Sequence, residues 1–281
     1  MRFQAHALSP AGRVVSALAQ LLSAANIADL LVLVLLDLFE GTGHAPPLGV
    51  ALRLVLFSLL PSGFVWLIRR LTAATVQVEP AQLVLVLRRT RFEIPLESIA
   101  ELRPWRLPLP GAGLTLRMKS GGRFRRALQL SDPTPLLAAL GQAGLGATAA
   151  SHPSTLYARA RHASPRRWWD HPVVKFGAFP LLPAVIVFRT HQYIAYGGPF
   201  GQYQMYGLGP YLKTFAAYWV GMAANLVLYA AVWRGLAEAA AISTAWTAPS
   251  RAGGVRRFAE IACRVAYYLG APALILARLL M

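Results

Sequence analysis

The sequence predicts a helical integral membrane protein with about five transmembrane helices and a small antiparallel β domain inserted after the second. Three observations predict it. Hydrophobic residues make up 56% of the 281-residue chain and charged ones only 14%, with a mean hydropathy of +0.46, whereas charged residues approach a quarter of an ordinary globular chain. Several apolar runs reach the length of about 20 residues that the hydrocarbon core requires. Between the second and third of these runs the pattern changes to short alternating segments punctuated by turn residues.

The first run, VVSALAQLLSAANIADLLVLVLLDLF (14–39), follows Arg2 and Arg13. A signal peptide has an apolar core of about 7–15 residues, so this much longer run is expected to be a retained helix. A second run covers 48–68 and stops at Arg69 and Arg70. The third, 173–196, contains Pro180 and Pro183, which are expected to kink it where neighbouring helices re-satisfy the backbone. The fourth, 213–238, and fifth, 258–281, flank a loop with Pro249, Gly253 and Gly254. Arg264 and Arg278 interrupt the fifth run, so a surface-lying helix is the alternative there.

Lys and Arg in the connections set the orientation. They are missing from 40–47 and 190–212, sixteen fall in 69–171, and 245–257 holds Arg251, Arg256 and Arg257. The N-terminus, 69–171 and 245–257 are therefore expected on the cytoplasmic side, and with five spans the C-terminus lies outside. The net charge of +17 is then assigned to a bilayer with anionic headgroups on the cytoplasmic side, not to nucleic acid. The single cysteine, Cys263, excludes an intrachain disulfide framework and a cysteine-rich zinc site.

Strand patterns fill the segment after Arg70: VQVEP (76–80), QLVLVLRR (82–89), TRFEIPL (90–96) and SIAELR (98–103). LTLRMK (114–119) alternates Leu114, Leu116 and Met118 with Thr115, Arg117 and Lys119, and SGG (120–122) turns the chain into RFRRALQL (123–130) as hairpin partner. SDPTPLLAALGQAG then begins a helix, with Ser131 or Asp132 as cap, Pro133 in its first turn and Gly141 or Gly144 at its end. Short antiparallel strands closed by one helix make a small barrel or sandwich. The run V-x-V-E, L-V-L, R-x-R-F-x-I-P-L-x-x-I-A-E-L, L-T-L-R-M-K-S-G-G-R-F and the closing S-D-P helix resemble the bacterial pleckstrin-homology-like domains over about 70–145. That resemblance implies a docking or scaffolding module following a transmembrane pair, without catalytic residues, in a bacterial cytoplasmic (inner) membrane. The expected organisation is a two-helix hairpin (1–70), the PH-like domain (71–147), a basic aromatic linker (148–172) and a three-helix membrane region (173–281).

Candidate functional residues fall into three groups. Asn26 and Asp29 on the first span and Asn225 on the fourth are expected at similar depth, with Arg264 as counter-ion for Asp29. An intramembrane carboxylate is a functional candidate by default. Ala217, Gly221 and Asn225 repeat every four residues, the spacing that lets helices approach closely. Arg88, Arg89, Arg91, Arg123, Arg125 and Arg126 of the β segment, with Arg166, Arg167, Trp168 and Trp169 before the third span, are expected to contact anionic lipid. Tyr193, Tyr196, Tyr203, Tyr206 and Tyr211, half of the ten tyrosines, crowd into 190–212. That aromatic, glycine-rich connection suits an interfacial belt or the core of a protein interface.

No nucleophile elbow, zincin motif or phosphate loop occurs, so no catalytic residue, cofactor or metal is expected. His152, His162 and His171 have no metal-ligand spacing. The function expected is a non-catalytic accessory, assembly or scaffolding subunit of a larger inner-membrane complex, in contact with other membrane proteins. A transporter, channel or lipid-handling protein built around Asp29 is the alternative.

Overall fold

The computed structural model describes residues 1–40, 46–164 and 167–274. The chain divides into two compact units. The first holds 1–23, 60–164 and 237–260; the second holds 24–59, 165–236 and 261–281.

In the first unit, strand β1 (Arg2–Leu8) precedes helix α1 (Pro10–Glu40). Helix α2 (Pro47–Leu71) leads back into β2 (Ala73–Val78), β3 (Gln82–Leu87), β4 (Arg91–Pro95), β5 (Ile99–Pro104), β6 (Gly113–Met118) and β7 (Ala127–Gln129). All pairings are antiparallel, in the order β4-β3-β2-β1-β7-β6-β5. The sheet is thus curled, with β1 at its centre joining the β2–β4 half to the β5–β7 half. Arg2 pairs with Gln77 and His6 with Ala73 on one side, while His6 pairs with Gln129 and Leu8 with Ala127 on the other. In RFQAHAL every second residue, Phe3, Ala5 and Ala7, turns inward, the period expected of a half-buried strand. The six strand patterns expected after Arg70 therefore form strands, and a seventh, Arg2–Leu8, completes the sheet.

The inner face is aliphatic. Val76, Leu83, Leu85, Ile99, Leu114, Leu116 and Leu128 are buried, and Leu136, Leu137 and Leu140 of α3 (Thr134–Gly141) close over them. Each such side chain contributes about 1.5–3 kcal/mol on leaving water. Asp132 starts α3, its Oδ1 accepting from the Thr134 N–H at 2.9 Å. The expected 123–130 strand is shorter: only Ala127–Gln129 joins the ladder, and Arg123 makes an isolated bridge to Arg117. Helix α4 (Pro153–His162) follows, capped by the His152 imidazole, which accepts from the Ser154 N–H.

Among the described residues three helices are long and apolar enough to cross a membrane: Pro10–Asp37, Pro47–Leu71 and Leu208–Thr247. The last, α7, has 40 residues, about 60 Å at 1.5 Å per residue, twice the hydrocarbon thickness. The expected kinked third span takes another form. A π turn over Val174–Ala178 is followed by α5 (Leu181–Tyr196), whose first turn contains Pro183, a position where the missing N–H costs nothing. The fifth run begins in α8 (Ala252–Val265) and continues as a π turn, Ala266–Gly270. Within the second unit, Leu30, Val50 and Leu54 pack on Ala224 and Leu228 of α7. Gly221 gives close approach there, since a Cβ on it would lie 2.8 Å from the Pro47 Cβ.

Candidate functional site

The aromatic segment 190–212 is ordered as helix, turn and helix. Helix α5 ends at Gly197, whose φ of 71° is the left-handed conformation that glycine adopts freely. A short helix α6 (Gly201–Tyr206) follows, and Gly207 ends it at φ 83°. Gly209 and Pro210 lie in the first turn of α7, so they start a helix instead of breaking one. Gly201 has no alternative, because a Cβ there would stand 2.3 Å from the Tyr196 carbonyl oxygen.

Beneath this turn lie two glutamines that composition alone did not single out. Gln192 is fully buried and Gln202 is 6% exposed. Gln192 Nε2 donates to Gln202 Oε1 at 2.8 Å, and the Gln202 N–H donates to Gln192 Oε1 at 3.2 Å. Gln202 Nε2 donates onward to Thr214 Oγ1 at 2.9 Å. In a buried site such a satisfied amide set fixes one arrangement, because every alternative leaves polar atoms unpaired.

The tyrosines divide accordingly. Tyr211 packs edge-on to Phe188 at 5.0 Å, and its hydroxyl donates to the Pro199 carbonyl at 3.4 Å. Tyr196 meets His191 and Tyr206 edge-on. Tyr193, Tyr203 and Tyr206 are about half exposed or more, beside Ile194 and Met205. The result is a preformed apolar and aromatic patch without charged groups of its own.

No family model matches the chain, and no curated protein or solved structure is detectably similar to it. Function is therefore read from the side chains.

The expected intramembrane cluster is reorganised. Asn26 is buried and donates to Ser58 Oγ at 2.9 Å and to the Arg53 carbonyl at 3.3 Å. Asp29 pairs with Arg53, so its counter-ion comes from α2 and not from the C-terminal run. Arg264 instead donates to Asp170 Oδ2 at 2.9 Å, with both side chains largely buried. Asn225 is exposed on α7 and takes no part in these bonds. The cause is simple: Arg53, in the second turn of α2, reaches Asp29, while Tyr267 and Tyr268 donate to the Lys175 and Trp169 carbonyls and so bring Arg264 beside Asp170.

The basic residues also separate. Arg88 and Arg89 form the exposed β3–β4 turn, Arg91 pairs with Glu93 at 2.8 Å, and Arg123, Arg125 and Arg126 occupy the β6–β7 connection. Arg166 lies outside the described residues. The Arg167 guanidinium stacks over Trp169 at 4.9 Å, Trp169 packs edge-on with Trp168, and Trp168 is 74% exposed. Among the described residues no group of three or more His, Cys, Asp or Glu could hold a metal ion.

A second polar network escaped sequence reading. Arg256, 1% exposed, donates to Glu238 Oε2 at 2.8 Å and to Glu260 Oε1 at 2.6 Å. The Tyr157 hydroxyl also donates to Glu238 and accepts from Arg161 at 3.3 Å. Burial pushes the Tyr157 hydroxyl pKa up. For Arg256 burial acts downward, but the bonds and charges of the two carboxylates outweigh it and raise the net value. Glu238 and Arg256 are 18 residues apart on different helices, a separation no local pattern reveals.

Proposed function

We propose that the chain is a non-catalytic accessory or scaffolding subunit of a larger bacterial inner-membrane complex. It docks through a PH-like domain on the cytoplasmic side and through the Tyr/Gly segment on the outer side. The observation that carries this reading is the buried Gln192–Gln202–Thr214 set, which holds Tyr193, Tyr203 and Tyr206 at the surface. A preorganised aromatic surface loses little conformational entropy on binding, and interface cores favour such side chains.

A meander of short strands closed by one helix supports the PH-like reading of about 70–145, now with β1 as a contributing strand. Chain continuity supports five spans. β1 and β2 are paired neighbours, so α1 leaves and α2 returns on one side. Tyr157 of α4 packs on Ala241 and Ala245 near the end of α7, which supports one further crossing before α7 begins. The 173–196 run is the segment available for it, and the run after Arg257 supplies the fifth.

The test is native-level purification in mild detergent, read by mass spectrometry, of the wild type and of Tyr203→Ala with Tyr206→Ala. Wild type is expected to co-migrate with another membrane protein, and the double variant to lose it while still inserting in the membrane. A lone protomer or homo-oligomer in the wild-type sample removes the accessory reading. Intact partner retention in the variant reduces the tyrosines to a membrane belt.

A further inference from the structure

We propose that a basic cleft on the sheet binds the phosphate headgroup of one membrane phospholipid. The cleft, about 540 Å³, lies within the first unit, between β5, β6 and the helical turn Ala147–Ala150. Arg13, Arg103, Arg106, Arg123, Thr115 and His152 line it. Only one acid, Glu101, joins them, and it is engaged by Arg103 at 3.0 Å and Arg117 at 3.8 Å. Four arginines against one carboxylate leave a surplus of three positive charges.

Each wall group is set as a donor. The Arg13 guanidinium lies over the Trp105 ring, 4.0 Å from its centroid. Trp105, 3% exposed, is fixed in turn by donating Nε1–H to Thr115 Oγ1 at 3.1 Å. Thr115 thus accepts from the indole and keeps its own O–H to donate. His152 Nδ1 accepts the Ser154 N–H, so the ring is neutral and its Nε2–H is the remaining donor. Gly113 lets Trp105 in, since a Cβ there would stand 2.8 Å from the indole. Arg13 feels the charge of Arg123, and His152 that of Arg106, at close range. Arg106 and Arg123 are exposed and make no ion pair among the described residues. Unbalanced guanidiniums held beside hydroxyl donors match a phosphate, which accepts several charge-assisted bonds at once.

The surroundings favour a lipid as the source of that phosphate. Arg13 lies in the first turn of α1, the helix that continues as a candidate span. The β5–β6 connection carrying Arg106 is tied alongside it, because Gln20 Nε2 donates to the Pro110 carbonyl at 3.1 Å. Next to Arg106, Leu107 is 64% exposed, and Leu18, Leu21 and Leu22 of α1 are about half exposed. Phosphate donors beside an apolar strip at a helix end suit a headgroup with its acyl chains, and a soluble phosphate has no use for that strip. The inference goes beyond the docking reading and does not depend on it, because its test contains no partner protein.

The full-length protein is reconstituted in phosphatidylcholine nanodiscs containing a minor fraction of phosphatidylglycerol, then released into detergent for native mass spectrometry. Wild type is expected to retain one phosphatidylglycerol. Arg106→Gln with Arg123→Gln is expected to lower retention on the order of thirty-fold, from about 1 kcal/mol per cation at an anionic surface. Arg251→Gln with Arg257→Gln removes the same charge from exposed positions of the first unit outside the cleft and should leave retention as in wild type. Unchanged retention in the first variant, or equal loss in both, overturns the site. A second arm titrates inorganic phosphate into protein held in phosphatidylcholine alone. Saturable binding there that the Arg106/Arg123 variant loses, without retained phosphatidylglycerol in the first arm, overturns the lipid assignment in favour of a soluble phosphate. Matching thermal midpoints for both variants exclude misfolding as the cause.

Discussion

Gln192 and Gln202 face each other as a reciprocal amide pair across ten residues of chain. One amide N–H crosses from Gln192 to Gln202 at 2.8 Å, and a backbone N–H returns from Gln202 at 3.2 Å. Through Thr214 the pair also reaches α7, so three helices meet at two side chains. The exposed tyrosines above owe their fixed positions to this junction.

Gln192→Leu keeps most of the volume and removes the pair. It leaves the Gln202 N–H and side-chain amide buried with a partner missing, which costs about 1–3 kcal/mol. A lower thermal midpoint in detergent is expected, with faster hydrogen exchange at 197–207. Unchanged exchange there would show that the glycine turns alone order the segment.

Arg256→Met tests the second network. The guanidinium is 1% exposed and serves two carboxylates, so its removal strands Glu238 and Glu260 together. Breaking a buried pair from one side costs about 3–5 kcal/mol. The expected readout is a large drop in thermal stability, relieved in part by adding Glu238→Gln. No relief from the second substitution would mean that packing, not charge, holds the site.

Protonation of His152 should be destabilising. Burial, followed by the nearby Arg106 charge, holds its pKa below the ordinary 6.5. The unfolded chain therefore takes up a proton first as pH falls, and the folded state loses stability from about pH 6.5 downward. Above that pH the contribution is fully present. His6, lowered by burial despite its hydrogen bond to the Arg69 carbonyl, acts in the same direction. His152→Asn keeps a side chain that can cap α4 but does not titrate, so its unfolding midpoint should depend less on pH below 6.5 than that of the wild type. An identical pH profile would remove His152 from the account.

Asp29 and Arg53 form an ion pair between two candidate spans, with side chains 61% and 40% exposed. Asp29→Ala leaves a lone guanidinium on an apolar helix, a cost on the order of 2.5–3.5 kcal/mol by insertion scales. Steady-state membrane level should fall for Asp29→Ala and recover in Asp29→Ala with Arg53→Ala. Recovery of the level without recovery of any measured flux would instead favour a transport role for the pair.

Much of the fold was legible because it rests on local periodicity. The alternation of Leu114, Leu116 and Met118, the Asp132 cap and the apolar runs of α1, α2 and α7 are written within a few residues each. What stayed hidden depends on distant partners. β1 is alanine-rich, so its strand propensity is weak, and only Thr75 and Leu128 across the sheet reveal its place. Arg264 finds Asp170, which is 94 residues away, a choice that charge counting along the chain cannot make. Gln192 and Gln202 looked like ordinary polar residues among tyrosines until their amides were seen to match.

The position of β1 bears on biosynthesis. Its residues are made before those of either partner: β2 follows a hairpin that ends at Leu71, and β7 begins only at Ala127. The sheet therefore cannot close until both helices of that hairpin have been made and the chain has returned to supply β2 and β7. A chain whose hairpin fails to bring β1 back beside its partners keeps an open slot between β2 and β7, with unpaired backbone groups exposed. Formation of the helical hairpin and closure of the sheet are thereby coupled into a single folding event.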